Sequence, residues 1–286
     1  MKQTAEMKLI TAVIVFGTIS LFVRRIPMTS GEIALFRAVL AVVLIGMYLI
    51  LTKNLGGFRQ IRKQLPLLLL SGAAMGFNWI LLFEAYRYTT VSAATLSYYF
   101  APVIVTVLCP IVFHEPMTLK QWICFGMSTL GIVLITGIGD LSTGSSHLTG
   151  ILYGLGAACL YAFVIMMNKM IQGVEGIHRT FLQFLAAVIV VFPYVMMTGG
   201  ISFAGMDTVG WLCLLTVGAV HTGITYCLYF SALKELPGQK TAILSYLDPL
   251  TAVMISVLIL SEPISAVQIL GGLLILGFTL WNELGS

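Results

Sequence analysis

The chain has 286 residues, of which 59% are hydrophobic and only 9% are charged, and its mean hydropathy is +1.01. A soluble domain of this length could not bury so much apolar surface, so the composition excludes a soluble catalytic or sensory domain. The net charge of +4 comes from basic residues spread over short loops, and it does not indicate nucleic-acid binding.

Ten apolar stretches follow one another along the chain, each close to the length of about 20 residues that a membrane-spanning helix needs. We predict spans at residues 8–24, 31–52, 65–88, 92–113, 119–138, 149–170, 178–198, 208–232, 240–260 and 264–282. The predicted fold class is therefore an all-α membrane protein with ten transmembrane helices.

The basic residues between the spans predict the orientation of the chain. With the N-terminus in the cytoplasm, the outer loops hold only Arg24, Arg25 and Arg87. The larger inner set is Lys2, Lys8, Lys53, Arg59, Arg62, Lys63, Lys120, Lys169, Arg179, Lys234 and Lys240. Because cytoplasmic loops are enriched in Lys and Arg, we expect a multi-pass protein of the plasma or inner membrane with both termini in the cytoplasm.

Residues of the first half recur in the second half at one constant shift of 147 positions. The pairs are Phe83 and Phe230, Ala85 and Ala232, Tyr99 and Tyr246, Pro102 and Pro249, Glu115 and Glu262, Pro116 and Pro263, Gln121 and Gln268. We predict two five-helix repeats, 1–138 and 149–286, joined by an external linker at 139–148. An odd number of spans per half inverts the repeats, which is a usual plan of secondary transporters.

Two short turns place a glutamate before a proline at equivalent points of the repeats, Glu115–Pro116 and Glu262–Pro263. Proline is tolerated at the first position of a helix, and a carboxylate beside it can accept hydrogen bonds from the free N–H groups there. We therefore predict that Glu115 and Glu262 cap the helices that follow them, with a substrate role as the alternative.

Three segments give the chain a resemblance to a known family. They are Ala34–Arg37, Tyr88–Ala94 leading into Pro102, and Leu260–Ser265 followed by Gln268 and Gly271. With them the sequence resembles the drug/metabolite transporter superfamily, in its ten-helix EamA-type branch. The resemblance implies alternating access around a central cavity, with amino acids, amines, nucleotides or sugars as substrates and proton coupling or exchange in many members. Phe16 stands where that family often has a tryptophan before Gly17.

Asp248 is the deepest acidic residue of the predicted bundle, and it precedes Pro249 in the ninth span. An ionisable group at membrane depth is costly and is a functional candidate by default. Ser245 lies on the same helical face, and its carbonyl oxygen is freed because Pro249 lacks an N–H. His221 in the eighth span is predicted at a similar depth, so a proton relay with Asp248 is one hypothesis. The alternative is a neutral or paired Asp248 and a packed His221.

Arg37 and Glu84 are charged residues of the second and third spans, both near the predicted outer boundary. One interpretation is a structural ion pair between these spans, in which Arg87 competes for Glu84 from three residues away. The other interpretation is a role in an outer vestibule.

Aromatic and polar residues within the spans complete the candidate site. Tyr99 and Tyr246 are repeat equivalents near two mid-helix prolines, Pro102 and Pro249, which we predict to be hinges. Aromatic walls suit an apolar or cationic substrate, although packing is the alternative for each ring. The remaining candidates for substrate or proton binding are Tyr98, Tyr226, Trp79, Asn78 and Gln183.

Catalytic and cofactor motifs are missing from the sequence. It has no nucleophile triad, zinc motif or phosphate loop, and its five cysteines show no metal-ligand spacing. We therefore expect no enzymatic activity, no cofactor and no metal. The expected partners are a small-molecule substrate, the lipid bilayer and protons, with no nucleic acid and a monomeric or weakly dimeric state.

These observations together favour a secondary active transporter that exports a small metabolite, an amino acid or an organic amine, with proton coupling. Two alternatives stay open, a passive facilitator or channel and a membrane scaffold without transport activity. Duplicated, inverted halves with paired mid-span prolines favour moving helices over a fixed pore.

Overall fold

The computed structural model describes residues 2–53, 61, 64–113, 117–136, 145–171, 173–174, 176–233, 235–236, 241 and 244–284. The described chain is helical and contains no strand. In chain order the helices are α1 (Lys2–Gly17), α2 (Ile19–Val23), α3 (Ser30–Leu51), α4 (Leu65–Tyr88), α5 (Val91–Tyr98), α6 (Ala101–Phe113), α7 (Leu119–Thr136), α8 (Ser145–Met170), α9 (Gly176–Thr198), α10 (Thr208–Leu215), a π-helical segment (Thr216–Ile224), α11 (Thr225–Leu233), α12 (Leu247–Leu258) and α13 (Ala266–Glu283).

Seven helical stretches of the described chain are long and apolar enough to cross a membrane. They are Thr4–Val23, Ser30–Leu51, Leu65–Tyr88, Val91–Cys109, Ser146–Met170, Gly176–Thr198 and Thr208–Ala232. Three shorter apolar helices, Leu119–Ile135, Leu247–Leu258 and Ala266–Asn282, fall within the fifth, ninth and tenth predicted spans. The all-helical membrane fold is thus confirmed, and the count of ten transmembrane helices stays a prediction.

The outer faces of these helices carry large apolar side chains. Leu51 is 78% exposed and Met197 is 87% exposed, as expected where lipid replaces water as the solvent. Helices suit this environment because every backbone hydrogen bond is made within the segment. Polar side chains are used at helix starts instead, as in the reciprocal hydrogen bonds of Thr29 and Glu32 at the beginning of α3.

Four of the apolar stretches are interrupted within their length. The first breaks at Thr18 between α1 and α2, and the fourth breaks between Tyr98 and Ala101. In the ninth, Tyr246 precedes the start of α12, and the eighth contains the π-helical segment Thr216–Ile224. The sequence marks two of these four interruptions, through Pro102 and Pro249, and gives no sign of those in the first and eighth stretches. The fourth and ninth break because a proline at the following turn removes one backbone hydrogen bond.

The two halves of the chain pack mainly against each other. Helix α4 lies between α8 and α9, α1 contacts α11 and α12, and α7 pairs with α13. Glycines allow this close approach. A Cβ added at Gly72 on α4 would lie 2.3 Å from the backbone oxygen of Gln183 on α9. A site between these helices is therefore built from both halves.

Two predicted turns have different outcomes. Glu115 and Pro116 lie outside the described residues, as do residues 139–144 of the predicted linker, while α8 already begins at Ser145. Glu262 does not cap the helix that follows it. Ser265 and Gln268 form the reciprocal cap of α13, and Glu262 accepts instead from the backbone N–H of Val91 at 2.8 Å. The prediction failed because the free N–H groups nearest to Glu262 belong to α5.

Candidate functional site

Asp248 lies where irregular helices from both halves meet. It is the second residue of α12, directly after the break at Tyr246. The hydroxyl of Tyr99, at the end of α5, donates a hydrogen bond to Asp248 Oδ2 at 2.6 Å. A carboxylate in the first turn of a helix is stabilised by the positive end of the helix dipole. Tyr99 and Asp248 thus join the broken helix of one half to that of the other.

Gly17 completes this meeting point from the first apolar stretch, and sequence reasoning did not place it in the site. A Cβ added at Gly17 would lie 2.6 Å from the backbone oxygen of Asp248 and 2.7 Å from Cβ of Thr251. The end of α1 therefore rests directly on the start of α12. The signal was present in the sequence, since Phe16 and Gly17 stand at a position shared with the resembled family.

Aromatic rings lie beside the two residues that contact Asp248, which are Tyr99 and Gly17. The ring of Tyr98 lies 6.0 Å from that of Tyr99 and is stacked on Tyr161 at 5.3 Å. Tyr226 packs edge to face on Phe16, with 5.1 Å between the ring centroids. Tyr161 and Phe16 were not among the predicted site residues. Rings arranged in this way form an apolar wall that also attracts cations.

The predicted ion pair between Arg37 and Glu84 does not form in the described part of the chain. Glu84 pairs with Arg87 at 3.1 Å, three residues away on the same helix. Arg37 points inward, where its Nε donates to Thr222 Oγ1 at 2.8 Å. Its guanidinium carbon lies 4.4 Å from the ring centroid of Trp79. Glu84 pairs with Arg87 rather than with Arg37 because residues three apart on a helix are neighbours on its surface.

The predicted contact between His221 and Asp248 is also absent from the described residues. His221 Nε2 forms a hydrogen bond with Thr18 Oγ1 at 2.9 Å, and Nδ1 lies 3.2 Å from the carbonyl oxygen of Thr216. Its ring packs against Phe22 at 4.8 Å. His221 belongs to the π-helical segment, whose wider winding turns the imidazole toward the break at Thr18.

Three further candidates hold helices together or bond locally. The side-chain amide of Asn78 donates to the carbonyl oxygen of Ala157 at 2.6 Å, which joins α4 to α8. Gln183 Nε2 donates to Ser71 Oγ at 2.7 Å, which joins α9 to α4. The Ser245 hydroxyl donates to its own segment, to the carbonyl oxygen of Thr241 at 2.9 Å. The structure therefore does not bring these three into contact with Asp248.

A second polar cluster joins the halves near the predicted outer ends of the helices, and sequence reasoning missed it. Arg24 forms an ion pair with Glu262. The same guanidinium donates from Nε to the carbonyl oxygen of Tyr86 at 3.0 Å and from Nη2 to that of Thr89 at 2.7 Å. The segment between α4 and α5 is thus bound by Arg24 through two carbonyl oxygens and by Glu262 through the N–H of Val91.

A cavity of about 790 Å³ lies beside this cluster. Its walls include Arg24, Arg87, Glu32 and Tyr86 from the predicted outer ends of the first three spans, and Phe83 also lines it. Phe83 is at the same time one of the rings beneath Arg37, at 5.8 Å. Among the described residues no group of three His, Cys, Asp or Glu side chains could hold a metal ion.

Comparison with known proteins gives consistent matches over nearly the whole chain. A model of the EamA-like transporter family matches residues 3–137 and 148–282. A Bacillus subtilis (strain 168) protein named "Uncharacterized transporter YxxF" is 29% identical over 259 residues, covering 89% of this chain and 81% of that protein. An Archaeoglobus fulgidus protein named "Uncharacterized transporter" is 25% identical over 285 residues, covering 97% and 96%. A solved structure described as "Crystal structure of protein" shares the fold with a TM-score of 0.63, at 15% identity and 97% and 95% coverage.

Proposed function

The chain belongs to the EamA-like transporter family, and from that premise we propose that it is a secondary transporter that works by alternating access. In this proposal ten spans form two inverted repeats, 1–138 and 149–286, in the plasma membrane with both termini in the cytoplasm. The constant shift of 147 positions between the halves and the excess of Lys and Arg in one set of loops support this arrangement.

The observation that carries the proposal is the hydrogen bond from the Tyr99 hydroxyl to the Asp248 carboxylate. Both residues lie at interruptions of apolar helices, one from each half of the chain. Secondary transporters bind substrates and coupling ions near the bilayer midplane at such interruptions, because the exposed helix ends offer polar groups there. Pro102 and Pro249 follow the two interruptions at equivalent positions, and we propose them as the hinges of the movement.

For the substrate we propose a small metabolite with an amino group, an amino acid or an organic amine, which is exported. A carboxylate walled by tyrosines suits an ammonium group, since it combines charge pairing with cation–π attraction. Tyr99 contacts Asp248, the rings of Tyr98 and Tyr161 continue from Tyr99, and Tyr226 packs on Phe16 beside Gly17. Export is then driven by protons that enter in exchange, because one carboxylate can hold either a proton or the substrate.

The test is transport by the purified protein in liposomes under an imposed pH gradient. Labelled amino acids and amines are supplied in turn, and the initial rate is measured for the parent and for Asp248→Asn. We expect the variant to fold, as judged by gel filtration, and to lose the gradient-driven rate by at least about ten-fold. Glu84→Gln is the matched control, because it also removes one carboxylate but acts on an exposed local ion pair.

Three results would contradict parts of the proposal. If Asp248→Asn transports like the parent at every gradient, the carboxylate is structural and facilitated diffusion or exchange replaces proton coupling. Flux that does not saturate with substrate concentration identifies a channel. A protein that carries no compound of the panel is a scaffold, and the transport proposal then fails as a whole.

A further inference from the structure

Arg37 holds a guanidinium inside the helix bundle without an ion pair to any carboxylate among the described residues. The residue is 5% exposed. One hydrogen bond fixes it, from Nε to Thr222 Oγ1 at 2.8 Å. The rings of Trp79 and Phe83 lie 4.4 and 5.8 Å from the guanidinium carbon. In the described part of the chain neither Nη group has a hydrogen-bond acceptor, so the outer edge of the guanidinium remains available.

A purely structural role explains this arrangement poorly. A charged side chain within a membrane-spanning segment is costly and is normally compensated by a partner of opposite charge. The two rings compensate part of the charge, but cation–π contacts do not satisfy the N–H donors. A methionine or leucine would fill the same space above Trp79 without any desolvation of charge. The retained guanidinium therefore points to an anionic group that is not part of the protein.

The π-helical segment orients Arg37 for such a group. The Thr222 hydroxyl donates to the carbonyl oxygen of Val217 at 2.8 Å, so its oxygen lone pair faces the Nε of Arg37. With Nε held, the two Nη groups form the free edge, and two parallel N–H donors match the two oxygens of a carboxylate. Tyr226 follows Thr222 by four residues, and its ring packs on Phe16, the neighbour of the Gly17 that contacts Asp248. Tyr226 thus connects the surroundings of Arg37 with those of Asp248.

We propose that Arg37 binds the carboxylate of the transported substrate, while Asp248 selects its amino group. The inference rests on the proposed transport function, and it narrows the substrate class from amino acids or organic amines to amino acids. An amine without a carboxylate leaves Arg37 unpaired and binds more weakly. The site is tested by equilibrium binding, which does not require transport.

Trp79 is a built-in reporter for this binding, because it lies directly beneath the guanidinium. The chain has four tryptophans, and the other three are Trp122, Trp211 and Trp281, which are 57%, 40% and 45% exposed. Replacing those three with phenylalanine leaves the emission of Trp79 alone. The probes are phenylalanine, 3-phenylpropionate and phenethylamine, which share one apolar body and differ only in their charged groups.

We expect phenylalanine and 3-phenylpropionate to change the Trp79 emission saturably. Arg37→Gln should weaken both by at least about ten-fold and leave phenethylamine unchanged. Asp248→Asn should do the reverse, weakening phenethylamine but not 3-phenylpropionate. Lys120→Gln is the matched control, because it also removes one positive charge from a helix, but on α7, away from Trp79.

The proposal is overturned if 3-phenylpropionate leaves the Trp79 emission of the parent unchanged, or if Arg37→Gln binds it as the parent does. If Arg37→Gln does not fold, the binding of the two probes to the parent protein is compared instead. Stronger binding of phenethylamine than of 3-phenylpropionate then overturns the proposal. Binding of the carboxylate probes without any flux in liposomes leaves this site in place and rejects the transport function. Flux without any preference for compounds that carry a carboxylate keeps the transport function and rejects this site.

Discussion

Arg24 and Glu262 form an ion pair between the two halves of the chain, with side chains 26% and 12% exposed. Glu262 also accepts from the backbone N–H of Val91 at 2.8 Å and from the hydroxyl of Ser256 at 2.5 Å. Removing either charged partner leaves the other partly buried with its remaining hydrogen bonds disturbed. Partly buried pairs of this kind cost more stability when one partner is removed than exposed ion pairs do, since exposed pairs contribute little to the free energy of unfolding.

A double-mutant cycle measures this contact. We expect Arg24→Gln and Glu262→Gln each to lower the free energy of unfolding, with a coupling energy of about 0.5–3 kcal/mol between them. The measurement is unfolding of the purified protein in detergent. The Arg87 and Glu84 pair is the control, since Arg87 is 57% exposed and the pair is local, and its coupling should stay below about 0.5 kcal/mol. Equal coupling energies in both cycles would show that the Arg24–Glu262 pair contributes no more to stability than a local surface pair.

Among the elements, the interrupted helices decide where the site lies. Helix α1 ends at Gly17, α5 ends at Tyr98, and α12 starts just before Asp248. A continuous α-helix offers no free backbone groups in its middle, whereas an interrupted one does. The close contact between Gly17 and the backbone oxygen of Asp248 holds two of these interruptions together.

Gly17→Ala tests this contact between elements. The added Cβ would meet the backbone oxygen of Asp248 at 2.6 Å, so α1 and α12 must separate. We expect a loss of about 1–3 kcal/mol in stability, together with a lower initial rate of transport. Thermal unfolding and liposome flux are the measurements. Gly277→Ala is the control, because a Cβ there meets no atom within 4 Å and should lower neither quantity. Unchanged behaviour of Gly17→Ala would remove this contact from the mechanism.

For the whole molecule, the loops predicted to share one side of the membrane contact each other. Ser202 donates its backbone N–H to Glu32 at 2.6 Å, and Arg24 bridges Glu262 and Thr89. All five residues belong to the predicted outer ends. Contacts of this kind place these loops at one end of the helix bundle, where loops on the same side of a membrane would lie.

Site-specific labelling tests the orientation. In a background without the five native cysteines, we introduce Lys53→Cys or Ser146→Cys, both at exposed positions. A membrane-impermeant maleimide applied to intact cells should label the cysteine at 146 and not the one at 53. Labelling after permeabilisation controls for accessibility. The reverse pattern would invert the predicted topology and move the proposed cytoplasmic termini outside.

The sequence alone determined that this protein is a helical membrane transporter of two related halves, because apolar length, loop charge and a constant repeat shift are properties of the chain. It also singled out Asp248 and Tyr99, since an in-span carboxylate and a repeated tyrosine are rare enough to stand out. Their contact was not predictable. It depends on two helices breaking at equivalent points and then facing each other across the halves.

Only the tertiary structure decided which polar groups meet. Glu84 paired with Arg87 and left Arg37 to Thr222, and His221 turned to Thr18, because helix rotation and the π-helical segment set these directions. Residue spacing gives the depth of a side chain and its direction relative to others on the same regular helix. Neither the rotation of that helix against its neighbours nor a change of winding can be read from it. The sequence thus supplied the candidate residues, and the packing of the halves selected the partners.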